Sequence, residues 1–587
     1  MQIARWSDSR RVVPVYLRPV RFGISPLVFI VVLCFIAITF SGCKSKKESA
    51  ASEDRSAAQA PPNSIELLFT YGSEKERWIN DVTDRFNRED HRAPGGKRIF
   101  VRAIPMGSGE LIDEVLNGGR QPHLISPASG AFIKLGNAQS QSKTGHDLIG
   151  STDNLVLSPV VIAMWKPMAE TLGWPNKPIG WAEILALASD HKGWQAYGYP
   201  QWGKFKFGHT HPQYSNSGLI TLFAEVYAAT GKTAGLTVAD VEKPHTAQFV
   251  QGIERSVVHY GSSTGFFGRK MFASGPEYLS AAVLYESMVV ESYSSGQQLA
   301  FPVVAIYPKE GTFWSDHPVG IVERDWVTPA HREAAQVYIK YLLDRPEQER
   351  ALTYGFRPGS VDVPLAAPID AAHGVDPKEP KTTLEVPSVS VMDAILKLFG
   401  ERKKGADIVL VLDTSGSMND DQKIQNAREG AKQLINLLSP SDTLSLVPFS
   451  TNVNWAVRDA PVASKERLLT TVDSLYAGGG TALYDAIDQG YQHLLKGQQQ
   501  NSQNDRILAV VVLTDGADTE SNLKLNELME HIQYNGENRA IHVFTIAYGN
   551  DARKDILKRI ADATQANSYV GTPQNIVSVF RDISTFF

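Results

Sequence analysis

The sequence predicts an α/β protein that ends in a doubly wound, mostly parallel sheet and has a further α/β region before it. Apolar runs at 407–413 and 507–513 each end in hydroxyl- and carboxylate-bearing residues. Buried strands of open α/β sheets place their ligand-binding residues at such ends. Strand-like and helix-like segments also alternate through residues 65–360, which is typical of α/β folds.

Length and composition exclude several classes of protein. A chain of 587 residues allows three or four domains. The formal net charge is −5 and no basic stripe occurs, so we expect no nucleic-acid partner. The two cysteines, Cys34 and Cys43, both lie in the N-terminal segment, which leaves the body without a disulfide framework or a cysteine metal site.

Residues 1–43 are predicted to be an export segment. Arginines precede an uncharged stretch from Phe22 to Gly42, which is long enough to span a bilayer uncleaved. The stretch ends Phe40-Ser41-Gly42-Cys43, which resembles the lipobox of bacterial lipoproteins, although Phe40 replaces the usual leucine. That resemblance implies lipidation of Cys43, so a lipid anchor and an N-terminal transmembrane helix both remain open. Either anchor places the rest of the chain outside the cytoplasm.

Residues 44–64 are polar, rich in Ala, Ser and Pro, and without periodicity. This composition predicts a flexible tether between the membrane and the folded part.

Apolar spacing predicts the first elements of region 65–360. Strands are expected at Ile65–Phe69, Arg98–Ile104 and His123–Ile125, with helices between them. The longer run Leu155–Trp165 has the length to cross between two lobes.

Several segments of this region resemble type 2 periplasmic solute-binding proteins, which are bilobal receptors that close on a small ligand. The resembling segments are MGSGEL (106–111), LISPAS (124–129), VLSPVVIAMWKP (156–167), GHTHPQYSNSGL (208–219), Tyr285-Glu286 and Tyr307-Pro308. The resemblance implies a bilobal fold and a small-molecule ligand.

Candidate ligand residues lie where strands lead into helices, since hydroxyls and free N–H groups there bind oxyanions. They are Ser73, Ser108, Ser126, Asn216 and Ser217. Each of these residue types is also a preferred helix N-cap. Glu286 would repel an anion and favours an amine or a polyol, so the class of ligand stays open.

Two weaker patterns do not predict catalysis. Gly261–Gly265 fits the nucleophile-elbow pattern with His259 nearby, but a helical stretch rather than a buried strand precedes it. His209 and His211 have no third zinc ligand at useful spacing, which favours a loop pair. We therefore expect no enzyme.

Residues 361–404 are predicted to join two domains. The proline-rich stretch 361–387 is expected to be irregular, and apolar spacing predicts a helix near 389–403. If that helix packs back on the first region, the two domains are mechanically coupled.

Residues 405–587 show the repeated alternation of a doubly wound sheet. The predicted elements after the first strand are a helix over 424–438, strand Thr443–Phe449, helix Thr481–Leu495, strands 507–513, Ile541–Tyr548 and Ala563–Val570, and a last helix over 573–585.

Oxygen-bearing residues cluster at three points of this domain: Asp413-x-Ser415-x-Ser417, Thr481 after three glycines, and Asp515 in Thr-Asp-Gly. Hard divalent cations prefer oxygen ligands, and Mg²⁺ keeps several waters. A phosphatase would need a second acid where Ser415 stands, and no Gly-Lys-Ser/Thr follows a glycine-rich turn, which excludes a P-loop.

These five residues resemble the metal-ion-dependent adhesion site of a von Willebrand factor A domain. The resemblance implies a Rossmann-like doubly wound fold that binds Mg²⁺, or Mn²⁺ or Ca²⁺. In the family the serines and the threonine contact the cation, the aspartates act directly or through water, and a partner's carboxylate completes the shell.

The expected function is that of a membrane-anchored, extracytoplasmic binding protein of the bacterial cell envelope. It would bind a protein partner through a metal-bridged carboxylate, while its receptor-like region takes a small ligand. The alternative is a solute receptor of a transport or sensing system in which the A domain is an assembly module. The two-part architecture also resembles a family of bacterial surface lipoproteins.

Overall fold

A computed structural model describes residues 60–294, 296, 298–500, 505–533, 540–549 and 551–587. The predicted export segment 1–43, with Cys43, and most of the 44–64 tether lie outside these residues. Within the described part of the chain, no helix has the length and apolar character needed to cross a bilayer.

The strands alternate with helices along the whole described chain. In chain order they are β1 (Ile65–Gly72), β2 (Ile99–Met106), β3 (Leu124–Ser126), β4 (Ile149–Asn154), β5 (Val156–Trp165), β6 (Phe207–Gly208), β7 (Ala281–Tyr285), β8 (Val303–Ile306), β9 (Trp314–Ser315), β10 (Pro318–Val322), β11 (Arg357–Pro358), β12 (Ala406–Asp413), β13 (Thr443–Phe449), β14 (Val457–Pro461), β15 (Ile507–Thr514), β16 (Ile541–Tyr548) and β17 (Ser568–Gly571).

The α-helices are, in the same order, α1 (Glu76–Arg88), α2 (Ser108–Leu116), α3 (Gly130–Thr144), α4 (Lys166–Thr171), α5 (Trp181–Ser189), α6 (Asn216–Thr230), α7 (Val238–Val241), α8 (Pro244–Glu254), α9 (Thr264–Ser274), α10 (Glu286–Ser294), α11 (Pro329–Leu343), α12 (Arg345–Thr353), α13 (Val389–Arg402), α14 (Lys423–Leu437), α15 (Lys465–Asp473), α16 (Leu483–Gln500), α17 (Leu525–Ile532), α18 (Lys554–Ala563) and α19 (Ile576–Ser584).

Two sheets divide the first region into lobes. The first lobe has the strand order β2-β1-β3-β10-β4, and the second has β11-β5-β7-β6, with β8 and β9 also paired to β5. The chain crosses between the lobes at Leu155, from β4 to β5, and returns between β9 and β10. The predicted bilobal fold is confirmed, and we call residues 65–360 the receptor region.

The C-terminal sheet has the order β14-β13-β12-β15-β16-β17, and every pairing except β13 with β14 is parallel. Alternate residues of β12 pack on opposite faces. Val409 and Val411 belong to a core that includes Ile487 of α16, whereas Leu410 belongs to a core that includes Leu434 of α14. Burial on both faces explains why the central strands are continuously apolar.

Helix α13 packs on the receptor region, as the sequence suggested. The ring of Phe399 lies 5.3 Å from that of Tyr260 and 5.4 Å from that of His211. At the far end of the chain, Arg581 of α19 donates to Glu110 and Glu114 of α2, at 3.1 and 3.2 Å. The two regions are therefore joined by packing as well as by the chain.

Several predicted boundaries differ from the observed ones, and two of these differences have a physical cause. Helix α16 begins at Leu483 rather than Thr481, because the Asp518 carboxylate accepts from the Leu483 N–H at 2.9 Å and caps the helix there. Strand β17 begins at Ser568 rather than Ala563, because α18 continues to Ala563.

Candidate functional site

The cluster at the carboxyl end of the C-terminal sheet begins with Asp413, the last residue of β12. This aspartate is fully buried. One of its oxygens accepts from the Ser415 N–H at 2.7 Å, and the other accepts from the Thr514 hydroxyl at 2.5 Å. Burial raises the pKa of Asp413, and the Asp515 charge adds to the rise against the opposing hydrogen bonds. Asp413 is thus held by the loop that follows it and by the end of β15.

Ser415, Ser417 and Asp515 form a continuous set of oxygens. The hydroxyls of Ser415 and Ser417 lie 3.1 Å apart, and the Ser417 hydroxyl donates to Asp515 Oδ1 at 2.7 Å. Ser415 and Asp515 are buried, whereas Ser417 is exposed. The set is therefore reached from solvent on the Ser417 side.

Thr481 lies in a loop that is hydrogen-bonded to residues 414–417, which we call the serine loop. The Gly416 N–H donates to the Gly479 carbonyl at 2.9 Å, and the Gly478 N–H donates to the Thr414 carbonyl at 2.8 Å. Gly479 has φ of +88°, a conformation that glycine adopts without strain. A Cβ placed on Gly516 would lie 3.8 Å from the Thr481 hydroxyl, which puts this hydroxyl beside the Asp515 turn.

Lys423, which the sequence did not suggest, completes the surroundings of Asp515. Its ammonium donates to Asp515 Oδ2 at 2.6 Å. Burial alone would lower the pKa of Lys423, but the hydrogen bond to Asp515 and the charges of Asp515, Asp420 and Asp551 together outweigh burial and raise the pKa. Asp421 and Gln422 adopt left-handed conformations with φ of 49° and 58°, and this bend precedes α14, which begins at Lys423.

The donor set fits a small divalent cation. Octahedral Mg²⁺ with bonds of about 2.1 Å places adjacent oxygens about 3.0 Å apart. The Ser415–Ser417 separation of 3.1 Å and the Ser417–Asp515 separation of 2.7 Å are close to that edge. Two buried carboxylates and three hydroxyl-bearing residues supply only oxygen ligands, which suits a hard dication.

In the receptor region, the predicted ligand residues are all buried. Ser73 bridges the lobes, since its hydroxyl bonds Ser263 at 2.8 Å and accepts from the Gly265 N–H of α9 at 2.9 Å. Ser108 accepts from the Ala128 N–H at 2.9 Å, which gives it a local backbone role.

Asn216 and Ser217 begin α6. The Asn216 amide donates to the Tyr285 hydroxyl at 3.0 Å, and the Ser217 hydroxyl lies 2.8 Å from that of Thr210. Ser126 Oγ and Asn216 Oδ1 are buried without a hydrogen-bond partner among the described residues. A buried polar atom without a partner is costly, so these two atoms are suited to a ligand.

Glu286 is held in an ion pair. Its carboxylate accepts from Arg357 at 2.7 and 2.6 Å and also from the Tyr307 hydroxyl. Arg357 and Glu286 are both buried. The predicted contact of Glu286 with a ligand stays a prediction.

A buried charged group at the lobe crossing was missed by sequence reasoning. Lys75 donates to Glu74 at 2.7 Å and lies 3.2 Å from His317 Nδ1. His317 stands in the return crossing between β9 and β10, and its ring lies 5.5 Å from that of Tyr285. Sequence spacing gives no signal for this cluster, because Lys75 and His317 are far apart in the chain.

The nucleophile-elbow pattern has another role in the structure. Ser263 precedes α9 as its N-cap residue, and its hydroxyl bonds Ser73. The ring of His259 stacks on that of Phe586 at 3.9 Å. His209 and His211 lie in the loop that follows β6, as expected, and both side chains are buried.

Comparison with known proteins identifies both regions. A family model described as "von Willebrand factor type A domain" matches residues 407–582. One described as "Bacterial extracellular solute-binding protein" matches residues 67–357.

Curated relatives match only part of the chain. An uncharacterised protein of Synechocystis sp. is 28% identical over 188 residues, which is 31% of this chain and 42% of the relative. Inter-alpha-trypsin inhibitor heavy chain H2 of Mesocricetus auratus is 27% identical over 160 residues, which is 27% of this chain and 17% of the relative. The chain thus spans less than half the length of either.

Solved structures resemble each region. A von Willebrand factor type A protein from Catenulispora acidiphila has a TM-score of 0.27 and 23% identity, and the match covers 31% of this chain and 42% of that one. A periplasmic thiamin binding protein has a TM-score of 0.43 and 14% identity, over 59% of this chain and 98% of that one.

Both family matches lie where the structure shows the corresponding fold. Solute-binding proteins and von Willebrand factor A domains are generally non-enzymatic binding proteins, and the extracellular solute-binding family implies an extracytoplasmic location. The chain therefore combines a region of the bacterial extracellular solute-binding protein family with a C-terminal von Willebrand factor type A domain.

Proposed function

We propose that this protein is a membrane-anchored, extracytoplasmic binding protein whose A domain, residues 405–587, binds a carboxylate of a protein partner through a divalent cation. Asp413, Ser415, Ser417, Thr481 and Asp515 would hold the ion. The convergence of Ser415, Ser417 and Asp515 within 3.1 Å of their neighbours carries the proposal.

The charge around the ion explains why a partner's oxygen would bind. Hydroxyl ligands carry no charge, so a dication among them keeps its affinity for an anionic oxygen. Ser417 is exposed, and its side of the cluster is open to such a group. Asp413 would keep the serine loop in place through its bond to the Ser415 N–H.

Binding of Mn²⁺ to the purified full chain, followed by electron paramagnetic resonance, tests the metal site. We expect saturable binding that a chelator reverses and that Asp515→Asn weakens at least tenfold. Asp421→Asn is a matched control, because Asp421 is exposed close to the cluster and asparagine tolerates its left-handed conformation. Equal Mn²⁺ affinity in wild type and Asp515→Asn would refute the assignment.

Binding of a carboxylate to the ion can be tested separately. A short carboxylate such as glutarate should change the Mn²⁺ spectrum of the wild-type protein when it displaces water from the ion. Retention of a spectrum independent of glutarate, in a protein that binds Mn²⁺ normally, would contradict partner binding through a carboxylate.

A second candidate function is that of a solute receptor. The unpartnered Ser126 Oγ and Asn216 Oδ1, together with buried Lys75, favour a polar ligand between the lobes. Thermal-shift measurements with small anions, sugars and amino compounds test it. Stabilisation that Asn216→Leu removes would support a receptor, and no stabilisation by any compound would count against it.

The division of the chain belongs to the same proposal. Residues 1–43 would direct export and anchoring, with Cys43 as the lipidation site if the segment is cleaved, and residues 44–64 would be the tether. Residues 361–404 would connect the receptor region to the A domain. Mass analysis of the mature N-terminus distinguishes a lipid-modified Cys43 from an uncleaved segment.

A further inference from the structure

His209, Glu225 and Glu254 form a buried cluster away from the A-domain site. His209 follows β6, Glu225 lies in the middle of α6, and Glu254 ends α8. One ligand atom from each lies within 4.8 Å of the other two. All three side chains have 0% exposure. The three side chains therefore converge on one point inside the second lobe.

Two of the three side chains are oriented by hydrogen bonds. His209 Nδ1 lies 2.8 Å from the Thr210 carbonyl, so the proton is on Nδ1 and Nε2 keeps its lone pair in the neutral ring. The Tyr260 hydroxyl donates to Glu254 Oε2 at 2.6 Å, and Glu254 Oε1 lies 3.0 Å from His209 Nε2, a contact that needs a proton or a cation between the two atoms. Metal-binding side chains are commonly held by such outer hydrogen bonds.

The unpartnered carboxyl group of Glu225 is a second observation that points to a bound cation. Both of its carboxylate oxygens are buried and have no hydrogen-bond partner among the described residues. A protonated carboxyl would need an acceptor for its proton, and a carboxylate would need a donor or a cation. None of the described residues offers this carboxyl group a donor or a cation, and burial together with the charge of Glu254 raises its pKa.

From this geometry we propose that His209, Glu225 and Glu254 bind a divalent first-row transition ion, with Zn²⁺ as the best fit. One imidazole nitrogen and two carboxylates suit such an ion, and two negative charges balance the dication. Tetrahedral Zn²⁺ with bonds of about 2.0–2.1 Å needs ligand atoms about 3.4 Å apart. The three ligand atoms lie within 4.8 Å of one another, so the Glu225 carboxyl group would have to approach the other two by roughly 1 Å.

The site would stabilise the surface on which the A domain rests. Tyr260, which orients Glu254, packs against Phe399 of α13 and donates its backbone N–H to the Phe586 carbonyl at 3.2 Å. Complete burial leaves no opening for a substrate. The proposed role is therefore structural, and it is separate from the cation of the A domain.

Metal analysis of the full chain tests the proposal. In an Asp515→Asn background, which removes the A-domain site, we expect about one equivalent of Zn²⁺ to remain after loading and desalting. Glu225→Gln should weaken Zn²⁺ binding at least tenfold and remove the rise in melting temperature that Zn²⁺ produces. Glu242→Gln, an exposed glutamate of the same lobe, should leave both unchanged.

Two results would overturn it. The first is less than about a tenth of an equivalent of Zn²⁺ or Mn²⁺ in the loaded Asp515→Asn protein. The second is a Glu225→Gln protein that is more stable than wild type at every Zn²⁺ concentration, which would indicate that the two glutamates share a proton. If Glu225→Gln fails to fold, loss of Zn²⁺ from His209→Gln decides the same question.

Discussion

Lys423 and Asp515 are joined by a 2.6 Å hydrogen bond, so a cation of the chain itself lies on a carboxylate of the candidate metal site. The Lys423 side chain is 12% exposed and Asp515 is fully buried. A dication that binds Asp515 therefore competes with an ammonium group for the same charge.

Replacement of Lys423 by methionine should tighten divalent cation binding. A charge-assisted hydrogen bond contributes about 1.5–3 kcal/mol, and its loss leaves Asp515 available to the ion. We expect Mg²⁺ and Mn²⁺ affinity to rise by roughly tenfold, measured by calorimetry. Lys432→Met, on the same helix but paired with Glu429 and Asp473, is the control. Weaker binding in Lys423→Met would show that the lysine assists the site instead.

The ion pairs of Arg581 should hold the A domain against the first lobe. Arg581→Met leaves Glu110 and Glu114 without this partner, and we expect the free energy of unfolding to fall by about 1–2 kcal/mol. Urea denaturation measures the change, and Arg559→Met, an exposed arginine of the A domain, is the control. An unchanged unfolding curve would mean that these bonds add nothing to the interface.

Asp582 should make stability depend on pH. Burial raises its pKa to about 8, and the Glu110 charge contributes, against the opposing effect of Arg581. The folded state then holds a proton that the unfolded state, with a pKa near 4, has released. Stability should accordingly fall as pH rises from about 4 to about 8.

Asp582→Asn removes this titration and is the test of it. Comparison of urea unfolding at about pH 5, 7 and 9 should show a smaller loss of stability in the variant than in wild type. Because the charge of Glu110 raises the pKa of Asp582, the difference between the two proteins reports the titration of this pair. Parallel pH profiles would contradict the raised pKa.

The buried ion pair of the second lobe should be sensitive to the loss of one partner. Arg357→Met leaves Glu286 charged, buried and without its bidentate donor, and we expect a cost of about 3–5 kcal/mol. The double variant Arg357→Met, Glu286→Gln should recover part of that loss, because the unpaired charge is gone. Chemical denaturation of both proteins measures the difference. Equal stability of the single and double variants would show that the unpaired charge of Glu286 does not cause the loss of stability.

The strands and the A-domain cluster could be predicted because their signals are local. A continuous apolar run such as 507–513 indicates a strand that is buried on both faces. The oxygen-bearing residues come directly after such strands in the sequence. The position of Lys423 could not be predicted, because it depends on the left-handed bend at Asp421 and Gln422. The start of α16 was misplaced because its cap, Asp518, comes from another strand end.

The His209 cluster shows a different limit of sequence reasoning. The search for a third zinc ligand near His209 in sequence found none, since Glu225 and Glu254 approach it only through the packing of α6 and α8. A signal was nevertheless present. Glu225 is an acidic residue in the otherwise largely apolar segment LFAEVYAA, 222–229, and such a residue calls for a buried partner.

The A domain is fastened to both halves of the receptor region. Arg581 donates a hydrogen bond to Glu110 of α2 in the first lobe. In the second lobe, the Phe586 ring stacks on that of His259, and the Phe586 carbonyl accepts from the Tyr260 N–H. A hinge motion that parts the halves must break one of these attachments. The A domain is therefore expected to oppose separation of the two lobes.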